Sequence, residues 1–261
     1  MNWMQLIGRR ISVRQFEPEL DEATLARVRD ICAPSENLNS CPLELRLLPG
    51  TQVHQVLRGF GGRYGRIVAP WYIAAIAEGG QDSLLNMGYR AERAVLEITA
   101  LGLGTCWIGG LYDKSSLNES LNLSDAGVRA LIALGRPGKE TWNRGIKLAV
   151  GQRRRLPLEK IAVFDSDQAF WKFPWRTVVE AVRWAPSAIN RQPWRLWFTS
   201  QGVHVFSASS WVTRGYTPTD IGIAICHLEL ACKQLSIPGS LMQTEHPHRK
   251  GWEYWLSYVI D

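Results

Sequence analysis

Residues 185–194 read Ala-Pro-Ser-Ala-Ile-Asn-Arg-Gln-Pro-Trp, and their opening Ala-Pro-Ser also occurs at residues 33–35. Each copy follows a stretch with helical apolar spacing and precedes an Asn, a second Pro and a strand-like run. A weaker echo aligns residues 94–100 with residues 226–232, both typical of buried helix. Self-similarity at long period indicates that a structural unit is duplicated. Two units in one chain can do what a two-fold homodimer does, and a shared ligand site can then survive on one side only.

The composition predicts a globular protein without a membrane partner. The chain has 261 residues, of which 46% are apolar, enough to bury a substantial core. No run approaches the roughly 18 apolar residues that span a bilayer, and residues 1–7 are too short for a signal peptide. Five cysteines without a Cys-x-x-Cys spacing favour reduced thiols over disulfides or a zinc cage. We therefore expect a soluble, cytoplasmic protein.

The net charge of +6 indicates an anionic partner, and its distribution decides which kind. The arginines form two compact groups, one with Arg9, Arg10 and Arg14 and one over residues 153–155. A nucleic-acid interface would spread basic residues along one face with aromatic residues between them. Two compact groups far apart in sequence suit a small phosphate held from two sides. Nucleic-acid binding remains the weaker alternative, and we expect no nucleic-acid partner.

Helices and strands are predicted in both parts of the chain, which indicates an α+β fold. The predicted helices cover residues 21–33, 86–101, 176–184 and 220–235. The predicted strands cover residues 43–48, 71–77, 130–134, 147–150, 196–199, 203–206 and 252–260. Helix 86–101 is apolar on more than one face, so we expect it at the centre of the molecule. The junction falls between about 156 and 176, which divides the chain into units 1–165 and 166–261.

Three short segments are candidates for a ligand site. In the extended segment 10–16, Arg10, Ser12 and Arg14 alternate and so share a face that suits a phosphate. The alternative is an exposed edge strand with solvated arginines. Gly109 and Gly110 follow an apolar strand and would let a planar ligand approach the backbone, although a plain turn has the same composition.

The third segment is a polar loop at a helix end that contains Pro186, Ser187 and Asn190, and by itself it is an ordinary Pro-rich turn. Catalytic side-chain signatures are scarce. His246-x-His248 has no carboxylate or Cys partner at metal-ligand spacing, so we expect surface histidines and no metal. No serine nucleophile elbow occurs. If the protein is an enzyme, an organic cofactor carries the chemistry.

Together these motifs resemble the nitroreductase-like flavoproteins. Residues 10–16 resemble their Arg-x-Ser-x-Arg-x-aromatic opening, and residues 185–194 resemble their Ala-Pro-Ser-x-x-Asn-x-Gln-Pro-Trp loop. Residues 102–110 are similar to the segment that lies along the flavin, and residues 153–157 to the basic phosphate-binding end. Ordinary members are homodimers with FMN at each interface, in a three-layer α+β fold. Because the first-half loop copy lacks Gln-Pro-Trp, the chain resembles a single-chain subgroup in which two fused halves imitate the dimer.

The resemblance implies a monomer with one FMN, held by both halves. It implies that NAD(P)H reduces the flavin and that a small-molecule acceptor such as a nitroaromatic or a quinone reoxidises it, with no obligatory catalytic side chain. The alternative is a flavin-binding or redox-sensing protein without useful turnover. The implied cofactor-binding residues are Arg10, Ile11, Ser12, Arg14, Ile108, Gly109, Gly110, Arg153, Arg155, Pro186, Ser187 and Asn190. Arginines would hold the phosphate with Ser12, the glycines would meet the ring edge, and the Pro186 loop would cover the pyrimidine side. Ile11 stands where many members carry a second basic residue, which weakens the phosphate grip slightly.

Overall fold

Two long helices, α4 (Gln81–Ala100) and α8 (Thr217–Gln234), lie against each other at the centre of the protein. The computed structural model describes residues 1–58, 67–124, 126–138, 155–165, 174–208 and 214–261. Most side chains of both helices are buried, which agrees with the central position predicted for the first of them. Within the described ranges, no helix combines the length and the apolar character needed to cross a bilayer.

One sheet is formed by the first part of the chain. Its strands are β1 (Leu43–Pro49), β2 (Trp71–Ala77), β3 (Gly104–Ile108) and β4 (Gly127–Gly135). They pair antiparallel in the order β1-β2-β4-β3. Helix α4 connects β2 to β3, and it packs on this sheet together with α2 (Glu22–Cys32).

The second sheet has the same strand order. Its strands are β6 (Trp194–Thr199), β7 (Gly202–Ala208), β8 (Gly239–Met242) and β9 (Trp252–Ile260), paired antiparallel as β6-β7-β9-β8. Helix α8 connects β7 to β8, as α4 connects β2 to β3, and α7 (Trp175–Arg183) packs beside it. A short strand, β5 (Ala162–Phe164), adds to the β6 edge in parallel orientation. It comes from the part of the chain that precedes α7.

The remaining helices are short. They are α1 (Trp3–Arg9), α3 (Gly50–Val53), α5 (Lys114–Ser120) and α6 (Leu158–Ile161). The structure confirms the predicted helices and strands in the described ranges, with ends that differ by a few residues. It adds the short helices α1, α3, α5 and α6 and the strands β5 and β8, which the sequence patterns did not predict. Helix α4 begins five residues before the predicted start. The predicted strand at 147–150 lies outside the described residues.

Glycines set the distance between the central helices. A Cβ on Gly88 would overlap the carbonyl oxygen of Thr219, and a Cβ on Gly222 would overlap the carbonyl oxygen of Leu85. Gly88 and Gly222 are 134 residues apart, as are Leu85 and Thr219. The contact therefore maps onto itself when the two helices are exchanged. The sequence similarity between residues 94–100 and 226–232 pairs residues that are 132 apart. It therefore differs by two residues from the pairing in this contact.

We expect Gly222→Ala to destabilise the protein, because the added methyl group meets backbone that no rotamer change can move. Overpacking of this kind costs about 1–3 kcal/mol. Gly8→Ala is the matched control, since Gly8 lies in α1 with open space around its Cβ position and alanine has the higher helix propensity. Urea unfolding followed by circular dichroism measures both. Equal stability of the two variants would contradict the close helix contact.

Candidate functional site

The extended segment that follows α1 runs along β3. Ser12 forms a parallel bridge with Thr105, and the Val13 amide donates to the Thr105 carbonyl at 2.9 Å. The Val13 side chain is buried against Gly104, where a Cβ would come within 2.6 Å of it. Because side chains alternate along an extended backbone, Ser12 and Arg14 lie on the face opposite to Val13. The packing of Val13 thus sets which way the predicted phosphate-binding side chains point.

Three of the predicted arginines carry buried nitrogens that lack a hydrogen-bond partner. The Nε of Arg10, an Nη of Arg14 and the Nε of Arg155 are buried and have no hydrogen-bond partner among the described residues. The side chain of Arg10 is only 6% exposed, so it is not a solvated surface arginine. Buried guanidinium N–H groups without acceptors are costly in a protein alone. They fit an anionic group, which would accept from them.

Electrostatic effects place these arginines close to one another and to β3. Burial, together with the charges of Arg10 and Arg183, lowers the pKa of Arg155 to about 10. Burial raises the pKa of the Cys106 thiol in β3, and the opposing effects come from Arg14, Ser12 and Arg10. An anion bound here would relieve the repulsion among the guanidinium groups.

Arg155 also holds the backbone that precedes the predicted loop. Its two Nη atoms donate to the carbonyl oxygens of Ala185 at 2.6 Å and Trp184 at 3.2 Å, just beyond the end of α7. Sequence reasoning assigned Arg155 to a phosphate alone. The structure leaves its Nε for that role and uses the Nη atoms to tie the loop to the arginine cluster. Arg153 lies outside the described residues.

The Pro186 loop has an unusual backbone. Ile189, Asn190 and Gln192 adopt φ values of 45°, 59° and 51°. The left-handed region is rare for residues other than glycine, and most of all for a β-branched side chain such as that of Ile189. Hydrogen bonds hold the loop in this shape: the Gln192 amide donates to Ser187 Oγ at 2.9 Å, and the Leu156 amide donates to Gln192 Oε1 at 2.9 Å.

The beginning of α8 connects this loop to the predicted glycine pair. Asp220 Oδ1 accepts a hydrogen bond from the Ala188 amide at 3.0 Å. One helical turn earlier, the ring of Tyr216 lies on Gly109 and Gly110, where added Cβ atoms would be 2.8 Å and 3.2 Å from its ring and hydroxyl. The planar group against the glycines in this structure is therefore a tyrosine ring.

Buried polar residues lie under the site at the centre of the molecule. Glu92 on α4 is fully buried, accepts from Trp107 Nε1 at 2.8 Å and lies 3.6 Å from Arg10 Nε. Its Oε1 is also 3.1 Å from Nε2 of His227 on α8, and Nδ1 of that histidine is 2.9 Å from the Ala181 carbonyl oxygen. A carbonyl only accepts, so Nδ1 bears a hydrogen. The Nε2–Glu92 contact then needs a second proton, on the histidine or on the carboxyl group.

The structure thus brings together most of the predicted site. Arg10, Ser12 and Arg14 lie beside β3, whose end carries Ile108, Gly109 and Gly110. Arg155 lies near Arg10 and ties down the start of the loop with Pro186, Ser187 and Asn190. Ile11 is half-buried in the extended segment between two predicted phosphate-binding residues.

Sequence reasoning missed Glu92, His227, Asp220 and Tyr216. Each of the first three is a polar residue among the apolar residues of a predicted helix, and this pattern could have indicated a buried polar group. That signal marks a buried partner without saying what it contacts.

The sequence matches a family model, and the fold is similar to those of solved structures. The family model described as "Putative TM nitroreductase" matches residues 2–232. A crystal structure of a putative nitroreductase from Thermotoga maritima aligns with 100% of this chain and 93% of its own, at 22% identity and a TM-score of 0.63. A nitroreductase family protein from Clostridium difficile aligns over 100% of its own chain and 64% of this one, at 16% identity and a TM-score of 0.51.

A putative nitroreductase from Desulfovibrio desulfuricans, solved in complex with FMN, aligns with 53% of this chain and 88% of its own, at 20% identity and a TM-score of 0.44. A comparison with curated protein sequences finds no significant match. At these identities the likeness to solved structures is one of fold, and it agrees with the α+β arrangement of helices and sheets. The family model spans most of the sequence, and the chain therefore belongs to the putative TM nitroreductase family.

Proposed function

We propose that the protein is an FMN-dependent oxidoreductase with one flavin site per chain. The observation that carries the proposal is the group of three arginines beside Ser12 and β3, each with a buried nitrogen that makes no hydrogen bond among the described residues. The phosphate of FMN is a small dianion that accepts several charge-assisted hydrogen bonds. Arg10, Arg14 and Arg155 would hold it, with Ser12 on phosphate or ribityl oxygens and Arg153 from the neighbouring segment.

The ring of the flavin would lie between the two parts of the chain. Ile108, Gly109 and Gly110 would border it from the end of β3, where the absence of side chains leaves the backbone accessible. Pro186, Ser187 and Asn190 would cover it from the second part. Tyr216 rests on the same glycines, so it would turn aside or stack on the ring.

Two fused halves explain why one site is expected. We propose halves of 1–165 and 166–261 that imitate a homodimer, and a monomeric protein. The shared strand order of the two sheets and the exchange symmetry of the Gly88 and Gly222 contacts support this. Strand β5, from the end of the first half, adds to the sheet of the second. The second half has no Arg-x-Ser-x-Arg segment and no Trp-Ile-Gly-Gly, so a second site would lack its parts.

Bound FMN would supply hydride transfer, from NAD(P)H to an acceptor such as a nitroaromatic or a quinone. The side chains of the site would bind and orient, and none is required as an acid or base. The five cysteines are free, as is usual for cytoplasmic proteins, and four of them are buried. This supports a cytoplasmic location.

We expect the purified protein to be yellow and to release close to one FMN per chain on denaturation. The absorption spectrum and chromatography of the released flavin measure identity and stoichiometry. Oxidation of NADH or NADPH with added nitroaromatic or quinone then separates an enzyme from a flavin-binding protein without turnover. Two flavins per chain, or a preference for FAD, would contradict the single asymmetric site.

We expect Arg14→Ala to weaken FMN binding roughly tenfold or more, because a charge-assisted hydrogen bond contributes about 1.5–3 kcal/mol. Arg9→Ala is the control, since Arg9 is an exposed arginine at the end of α1. Flavin fluorescence titration of the apoprotein gives both dissociation constants. Equal losses in the two variants would show that general positive charge, not this cluster, attracts the cofactor.

We expect Asn190→Gly to reduce FMN affinity, because it removes a side chain from the loop that would cover the ring. Glycine adopts the φ of 59° at this position without strain, so the loop shape is preserved. Asn37→Gly is the matched control in the first-half copy, where Asn37 is exposed. The same titration, on variants shown to be folded by circular dichroism, compares them. If Asn37 proves as sensitive as Asn190, the assignment of the loop across the two halves is wrong.

A further inference from the structure

The loop that would cover the flavin depends on one acidic residue. Asp220 lies in the first turn of α8 and is only 3% exposed. Its Oδ1 accepts the Ala188 amide at 3.0 Å, immediately before the three residues with positive φ. Because the left-handed conformations of this loop are unfavourable in isolation, the contacts around it must maintain them. Asp220 supplies one of these contacts, from α8.

The equivalent position on α4 does the same task with a different residue. Asn86 is 134 residues before Asp220, the separation that relates Gly88 to Gly222. Asn86 Oδ1 accepts the Leu38 amide at 2.8 Å, and its Nδ2 donates to the Cys41 carbonyl at 2.9 Å. Both polar groups of Asn86 are therefore used to hold the first-half copy of the loop. An asparagine is sufficient where a loop only has to be anchored.

The carboxyl group at 220 is, by contrast, only half satisfied. Its Oδ2 is buried and has no hydrogen-bond partner among the described residues. Burial raises the pKa of Asp220 to about 7, and the hydrogen bond from Ala188 opposes this only in part. An ionised, buried carboxyl group with an empty acceptor position costs more free energy than the neutral amide of an asparagine. Anchoring of Ala188 alone does not account for the acid.

Two arginines near the loop donate to acceptors other than Asp220. Arg155, from the segment before α6, donates to the carbonyls of Ala185 and Trp184. Arg183 at the end of α7 donates to the Leu156 carbonyl and pairs with Glu180 at 3.3 Å. In the described part of the chain, no ion pair involves Asp220. The acceptor position on Oδ2 is therefore open to a neutral donor.

We propose that Asp220 is a positioning residue for the flavin site, acting through the loop. Its Oδ1 holds the Ala188 amide throughout, and its Oδ2 accepts a second hydrogen bond from a donor of residues 187–190 when the loop closes on the bound ligand. The acid thereby couples loop closure to binding, at a cost in the stability of the ligand-free protein. This inference rests on the proposed flavin site.

Asp220→Asn tests it, because the amide keeps an acceptor for Ala188 but cannot take a second N–H or O–H in the same way. We expect the apoprotein of this variant to bind FMN at least fivefold more weakly than the wild type, by fluorescence titration at pH 8. Asp220→Ala, which loses both contacts, should bind more weakly still. An Asp220→Asn variant that binds FMN as tightly as the wild type would overturn the proposal.

Thermal melting of the apoprotein gives a second readout that a structural anchor would not produce. The pKa of Asp220 is raised in the folded protein, so its contribution to stability is full below the ordinary aspartate pKa and is lost as pH rises through about 7. Asp220→Asn removes this loss. We therefore expect it to melt at a higher temperature than the wild type at pH 8 while binding FMN more weakly. A lower melting temperature together with weaker binding would indicate simple misfolding of the loop and would overturn the proposal.

Asn86→Asp is the control on α4. It replaces the amide that donates to the Cys41 carbonyl, so we expect a lower melting temperature with unchanged FMN affinity. An equal loss of FMN affinity in this variant would show a general effect on the central helices and count against a specific role for Asp220. If the wild type binds no FMN, the proposed function itself fails, which is a different result from a binding wild type with an unaffected Asp220→Asn variant.

Discussion

The close contact between the two central helices is the constraint on which the site depends. Without side chains at Gly88 and Gly222, the backbones of α4 and α8 approach until each glycine meets a carbonyl oxygen of the other helix. This approach places the first turn of α8 next to the end of β3. Tyr216 then reaches the glycine pair, more than 100 residues before it in sequence, and Asp220 reaches the Pro186 loop, 32 residues before it. A wider helix separation would take Tyr216 away from Gly109 and Gly110.

Buried hydrogen bonds fix the relative positions of the packed elements. Apolar contacts between helices are tolerant of small shifts, whereas hydrogen bonds are not. Glu92 contacts Trp107 from β3 and His227 from α8, and lies near Arg10 at the end of α1. The same carboxyl group thus links the strand beside the site, the arginine cluster and the second half of the chain. Removal of either partner would leave a buried polar group unsatisfied, which is the costly case.

The unfavourable features of the structure are concentrated where the ligand is proposed to bind. Arginine nitrogens without a hydrogen bond, a loop with three left-handed residues and a buried acid with an empty acceptor position all belong to the proposed site or to the contacts of its loop. Each lowers the stability of the ligand-free protein, and each has a use when an anionic, hydrogen-bonding ligand is present. Natural proteins commonly depart from locally favourable choices at functional sites, and this distribution agrees with that expectation.

The sequence by itself determined the local structure and the residue types of the site. Apolar periodicity and turn residues predicted the central helices, the β6-β7 hairpin and most strands, because those signals arise from contacts near in sequence. The alternation of Arg10, Ser12 and Arg14 predicted a common face, which the extended segment beside β3 provides. The repeated Ala-Pro-Ser indicated two related units, although the similarity between residues 94–100 and 226–232 misplaced the helix register by two residues.

Only the tertiary structure decided which groups meet. The contact of Glu92 with His227 depends on the crossing of α4 with α8. The contacts of Arg155 with Ala185 and of Asp220 with Ala188 depend on the position of α7 and of the loop that follows it. The sequence separations involved are 30 residues or more, and no local pattern encodes them. The register of α4 against α8 depends on Gly88 and Gly222, because each faces a backbone carbonyl of the other helix that leaves no room for a side chain. A pattern read along one chain does not contain that information, because the free energy of such a contact belongs to both helices together.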